Sequence, residues 1–254
     1  MKILAAVLVL LACSLAQAEE PRDRAEVLKL GAKVVESGRD GVYTVEWFPE
    51  EMDKKKDGTV RVIFALHGSQ GHAETSVRLW QPFAKKRGVA VVALQWWLGE
   101  DKYLQPKESY ALLEARLAAL RKDHPAIAEK GHLLDGFSRG SANVPGLAIL
   151  DRDPKKGLFS LFLCDSGAWP EDKPPPYVRD AGDDAFKGQR FVGYFGGKDE
   201  QFGAPATKAG RAAKAFIEKR GGKFELWYEP EDGTHGTFMN TPKMVEEALD
   251  VWLK

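Results

Sequence analysis

His132-Leu133-Leu134-Asp135-Gly136-Phe137-Ser138-Arg139-Gly140-Ser141 is the stretch that decides the fold. Residues 132–135 have the short, largely apolar character of a strand, and residues 141–150 that of a helix. Between them stands Gly-x-Ser-x-Gly at Gly136, Ser138 and Gly140. A serine flanked by glycines at a strand-to-helix junction is the sequence form of a nucleophile elbow. The turn is so tight that small residues are needed two positions either side, and it holds the hydroxyl clear of the sheet at a helix N-terminus. With 25 Gly in the chain, about a tenth of one chance match is expected before strand and helix are required on the two sides.

Outward from the elbow the pattern alternates. Strands are expected at 43–48, 60–66, 89–95, 158–163, 191–195 and 223–228, each rich in β-branched or aromatic residues. Helices are expected at 108–122, where Leu113, Leu117 and Leu120 share a face, at 205–220, and in the last segment, where Val245, Ala248, Leu249 and Trp252 do. The strands at 60–66, 89–94 and 158–163 are nearly continuous apolar runs, as in a parallel sheet covered on both faces. The pattern predicts one α/β domain over 41–254: a mostly parallel central sheet of about seven or eight strands, helices on both faces, and no large cap domain. Only one strand is expected before Val60. Residues 19–40 read as a charged N-terminal arm or short helix, and 165–189 as a long connection without a convincing helix.

A serine nucleophile needs a base to take its proton and an acid to hold that base, in the chain order Ser, acid, His for this class of sheet. Asp199 follows the strand at 191–195 and His235 the strand at 223–228, both in glycine-bearing loops past strand carboxyl ends, where parallel sheets place their sites. Glu200 is the reserve acid and Asp165 a lesser candidate. His67, His72, His124 and His132 are less well placed to be the base. The oxyanion needs two backbone N–H groups. Arg139, next after the serine, supplies one, and the His67-Gly68-Ser69-Gln70 loop the other, assigned to Ser69 with Gln70 as competitor. Gln70, Trp96, Trp97 and Trp169, all past strand ends, are candidate pocket residues. The Arg139 side chain is expected to add a charged donor to the oxyanion site, to meet an acidic substrate group, or to face solvent.

Composition narrows the partners. Lys+Arg and Asp+Glu stand at 37 each, so no excess charge points to nucleic acid or an anionic membrane. Two Cys make neither a disulfide scaffold nor a cysteine zinc site. His67 and His72 have no third ligand at helpful spacing, so no metal site is expected. Residues 1–18, with Lys2, the apolar run 3–11 and Ala16-Gln17-Ala18, read as a signal peptide, so the mature protein is expected to be secreted or periplasmic and to span no membrane. Lipoprotein processing at Cys13 is the alternative route. Cleavage leaves Cys164 as the sole thiol.

On Leu66-His67-Gly68, Gly136-Phe137-Ser138-Arg139-Gly140, Gly197-Lys198-Asp199 and Thr234-His235-Gly236, the chain from about residue 42 resembles the α/β-hydrolase superfamily. It is most similar to secreted single-domain esterases of the polyhydroxybutyrate depolymerase, feruloyl esterase and dienelactone hydrolase type, and to prolyl-oligopeptidase-like catalytic domains. The Ser138-Arg139 pair resembles that of glucuronoyl esterases. The resemblance implies an acyl-enzyme on Ser138 with Asp199 and His235, no cofactor, and a small-molecule or carbohydrate-linked ester as substrate. The alternatives are a peptidase of the prolyl-oligopeptidase-like type and a non-catalytic binding protein on the same fold.

Overall fold

The computed structural model describes residues 21–170, 173–201 and 203–254; the expected signal peptide, with Cys13, lies outside the described residues. In chain order the elements are α1 (Arg24–Lys29), β1 (Lys33–Arg39), β2 (Val42–Trp47), β3 (Val62–Leu66), α2 (Ala73–Arg87), β4 (Ala90–Gln95), α3 (Pro106–Asp123), β5 (His132–Phe137), α4 (Arg139–Leu150), β6 (Phe159–Asp165), α5 (Pro176–Arg179), β7 (Arg190–Tyr194), β8 (Glu200–Gln201), β9 (Ala204–Pro205), α6 (Ala206–Glu218), β10 (Lys223–Tyr228) and α7 (Pro242–Leu253). Eight strands form one sheet in the order β1-β2-β4-β3-β5-β6-β7-β10. β2 pairs antiparallel with both neighbours, and every other pairing is parallel. β8 and β9 make a separate two-stranded ribbon just after the β7 loop.

Alternation along β3 shows how the sheet is covered. Val62, Phe64 and Leu66 enter one core with Leu113, Leu117 and Leu120 of α3, Val144 of α4 and Ile217 of α6. Ile63 and Ala65 enter the other, with Val27 of α1, Trp80 of α2 and Leu249 and Trp252 of α7. β3 therefore buries both faces, which is why its sequence is a continuous apolar run. Helix ends follow local chemistry. α3 starts with Pro106 and a capping box between Gln105 and Glu108, and α2 stops at Gly88, whose φ of 64° suits a residue without Cβ.

The structure departs from expectation at the N-terminal side. Residues 33–39 are a strand, so two strands precede β3 rather than one, and the sheet begins within the segment read as an arm. β1 is an edge strand, largely exposed and charged, so it lacks the apolar run that marks an inner strand. α1 is tied to α2 by Arg24–Glu74 at 2.9 Å and Thr75–Asp23 at 2.7 Å. Between β6 and β7 the described residues contain one helix, the four-residue α5. Among the described residues no helix is long and apolar enough to cross a membrane.

Candidate active site

The elbow is built by backbone crowding. Ser138 has φ 52° and ψ −115°, a conformation costly for a residue with a side chain and typical of functional sites. Its N–H donates to the Asp165 carbonyl at 2.8 Å, which fixes the turn against the end of β6. A Cβ on Gly136 would stand 2.5 Å from the Gly140 carbonyl oxygen, and one on Gly140 would stand 2.2 Å from that of Leu66. Gly167, after β6, is tighter still, at 1.8 Å from the Ser138 carbonyl oxygen. Both glycines of the motif are thus required by close approach.

The acid and histidine loops are zipped together. Gly197 N–H donates to Pro230 at 2.9 Å and Lys198 N–H to Gly233 at 2.8 Å. A Cβ on Gly196 would come within 2.4 Å of the Gly233 carbonyl oxygen, so the glycine permits this contact. The loops bring His235 Nδ1 to 2.9 Å from Asp199 Oδ2. Asp199 is 5% exposed and also receives Gln201 Nε2 at 3.3 Å. Glu200 does not reach the imidazole, and Asp165 instead accepts from Ser166 Oγ at 2.8 Å. Ser166 Oγ in turn receives the Gly236 N–H at 3.2 Å, fastening the histidine loop to β6. Of the three acids weighed in the sequence, Asp199 is the one paired with His235.

Ser138 and His235 open on one cavity of about 490 Å³, which reaches down to Asp135, Trp80 and Asp165. Ser138 also borders a second cavity of about 400 Å³ with Arg139, Trp169 and Gln201. Ser69 lines both. Its backbone N–H and that of Arg139 have no acceptor among the described residues, whereas the Gln70 N–H donates to Tyr103 Oη at 2.9 Å. Tyr103 also carries the Arg139 guanidinium, stacked 4.2 Å from its ring centroid. Arg139 is exposed, so its cation rests on the tyrosine ring beside the serine while still meeting solvent, with no ion pair among the described residues.

Three expected pocket residues line neither cavity. Trp96 is 1% exposed; its indole donates to the His67 carbonyl at 3.1 Å and its ring packs 4.7 Å from that of Tyr103, so it supports the loops from beneath. Trp97 lies edge-on to His72 at 6.0 Å and borders neither cavity. Gln70 points its N–H at Tyr103 and borders neither cavity. Trp169 does line the second cavity. His67 is deeply buried, with Nδ1 2.8 Å from the Gly68 carbonyl oxygen, and burial lowers its pKa to about 4, so it is neutral. Cys164 is buried and its thiol is pushed up to about 12 by burial, so it is inert packing. Among the described residues no cluster of three or more His, Cys, Asp or Glu is arranged to hold a metal ion.

Asp135 and Trp80 line the first cavity and Tyr103 stacks on Arg139; none of the three is a candidate on the sequence alone. Asp135 had a signal, a carboxylate three residues before the serine in an otherwise apolar strand. It receives Trp80 Nε1 at 2.7 Å, and burial pushes its pKa up to about 7. The unfolded chain gives up this proton near 3.8, the folded chain only near 7, so stability falls as pH rises between the two. Asp135→Asn keeps an acceptor for Trp80 and removes the charge. It is expected to be more stable than the parent by on the order of 3 kcal/mol at pH 8. Below about pH 4 the gain should vanish, as read by urea titration of both proteins at the two pH values.

Solved structures with the same fold are numerous. An esterase from Pyrobaculum calidifontis is similar at 11% identity and TM-score 0.62, covering 91% of this chain and 88% of its own. One of two esterases from Rhizomucor miehei is similar at 13% identity and TM-score 0.63, covering 91% and 87%. Poly(aspartic acid) hydrolase-1 from Sphingomonas sp. KT-1 is similar at 17% and 0.65, covering 88% and 98%. The chain has the α/β-hydrolase fold. No family model and no curated protein matches its sequence. In an α/β-hydrolase fold the loops after β3, β5, β7 and β10 meet at one end of the sheet, which is where Ser69, Ser138, Asp199 and His235 stand.

Proposed function

We propose that the protein is a serine hydrolase that cleaves carboxylic esters through an acyl-enzyme on Ser138. The observation that carries this reading is a strained serine at a strand-to-helix elbow, opening on the same cavity as an imidazole whose Nδ1 is held by a buried carboxylate. The bond to Asp199 fixes the tautomer with the proton on Nδ1, leaving Nε2 to take the proton of Ser138 as Oγ attacks the ester carbonyl. The carbonyl oxygen, now negative, is received by the Ser69 and Arg139 N–H groups and favoured by the N-terminus of α4. Nε2 then gives its proton to the alcohol oxygen as the C–O bond breaks. Water, deprotonated by the same nitrogen, releases the acid.

The esterases among the similar structures support an ester as the scissile bond. Trp169 and the stacked Arg139 frame the second cavity, where the acyl group would lie. The sequence of residues 1–18 supports export of the mature chain to the periplasm or medium. Rapid mixing with p-nitrophenyl acetate tests the reaction. We expect a burst of p-nitrophenol close to one equivalent, then a slower steady rate, as an acyl-enzyme requires. Turnover of aminoacyl amides at rates above those of the matching esters would favour a peptidase, and turnover of neither would favour a non-catalytic binding protein.

A further inference from the structure

The cavity on the His235 side of Ser138 has a carboxyl group at its inner end whose presence packing does not explain. Asp135 is 6% exposed, and its single hydrogen bond among the described residues comes from Trp80 into Oδ2. A neutral amide would satisfy that indole at much lower desolvation cost. The second carboxyl oxygen has no donor among the described residues, and no Lys or Arg lines this cavity. His67, at the same cavity, is neutral, and its Nε2 is buried without a partner. Asp165, on the neighbouring strand, adds another buried carboxyl, and Asp135 forms no ion pair among the described residues.

The side of the serine on which this cavity lies says which part of the substrate enters it. His235 must hand its proton to the leaving oxygen, so the leaving group lies on the histidine side, and the acyl group on the side of Arg139 and Trp169. We propose that this cavity takes the leaving alcohol and that Asp135 selects alcohols carrying a further hydrogen-bond donor, a hydroxyl or a primary ammonium, on their chain. The inference rests on the serine-hydrolase reading. Asp135 is three residues before Ser138 and two before the end of β5, at most about 10 Å at strand rise, so the donor sits several bonds from the scissile oxygen. A polyol or an amino alcohol has that form. Much of the remaining wall is apolar, with Leu79, Phe137 and Met239 to cover the carbon chain.

Butanoate esters of n-alkanols, ω-hydroxyalkanols and ω-aminoalkanols, with two to six carbons in the alcohol, test the assignment. At the best chain length, kcat/KM for the hydroxyalkyl or aminoalkyl ester is expected to exceed that for the alkyl ester about tenfold, the effect of one buried hydrogen bond. Asp135→Val should abolish both preferences. Asp135→Asn, which keeps the bond to Trp80, should abolish the ammonium preference and retain the hydroxyl one, so the two donors are told apart even if the valine variant does not fold. Equal kcat/KM across the three series, or a preference that survives in Asp135→Val or, for ammonium, in Asp135→Asn, overturns this inference alone. Hydrolysis of none of the esters overturns the hydrolase reading and this inference with it.

Discussion

Ser138→Ala is expected to lower kcat for p-nitrophenyl butyrate by about 10⁴-fold or more, because without the hydroxyl no acyl-enzyme forms and only the polarising N–H groups remain. His235→Ala should lose a similar factor and the double variant little more, since the two residues carry out one proton transfer and act as a unit. Stability separates this loss from damage to the fold. Alanine retains a Cβ at φ 52° and so keeps the backbone strain of the elbow. The Ser138→Ala protein should therefore melt within about 2 °C of the parent. A rate unchanged by the substitution would assign the hydrolysis to another group.

The second large effect is expected at Gly140. Its added Cβ would meet the carbonyl oxygens of Leu66 at 2.2 Å and His67 at 2.9 Å. Both are backbone atoms at the end of a central strand, so neither can turn aside as a flexible side chain would. In Gly140→Ala, α4 must withdraw from β3 by about an ångström, carrying with it the Arg139 N–H and the serine turn. The cost is about 3 kcal/mol or more, or about 6–12 °C in Tm for a domain of this size. Any folded fraction should lose about 10²-fold in kcat, because a displacement of that order misplaces the reacting groups. Differential scanning calorimetry beside a rate measurement on the soluble fraction decides it. A variant that melts with the parent and keeps its rate would mean that the elbow is looser than the backbone distances imply.

The sequence makes the middle of the sheet plain and its edge obscure, for a physical reason. β3, β4 and β6 are covered by helices on both faces, so burial writes itself as unbroken apolar runs. β1 has one neighbour and an exposed, charged surface, so nothing in Lys33–Arg39 sets it apart from a solvated arm. α2 was not singled out as a helix either. Val77, Trp80 and Ala84 have helical spacing and are buried, but Pro82 stands among them and breaks the pattern.

At the site, the residues that follow strand ends were legible because a parallel sheet gathers those loops at one end. The orientation of side chains within the loops was not. Trp96 and Trp97 follow β4 as a pocket residue would, yet Trp96 is turned inward by its bond to the His67 carbonyl and Trp97 borders neither cavity. Tyr103 is brought to Arg139 and Gln70 by a turn in which Leu98 and Lys102 pair at 2.8 Å, a contact between segments that local patterns do not contain. Likewise the difference between Ser69 and Gln70 depends on the Tyr103 hydroxyl, which engages the Gln70 N–H and leaves that of Ser69 without an acceptor among the described residues.

Everything proposed for this site rests on Ser138 as the nucleophile and His235 as the base that activates it. The most direct measurement of that assignment is the site of covalent attachment of a fluorophosphonate, mapped by peptide mass spectrometry on the parent protein and on His235→Ala. We expect a single phosphonyl adduct on Ser138 in the parent, with labelling slowed at least about 100-fold in the variant. An adduct on another residue, no adduct, or equal labelling of the two proteins would contradict it.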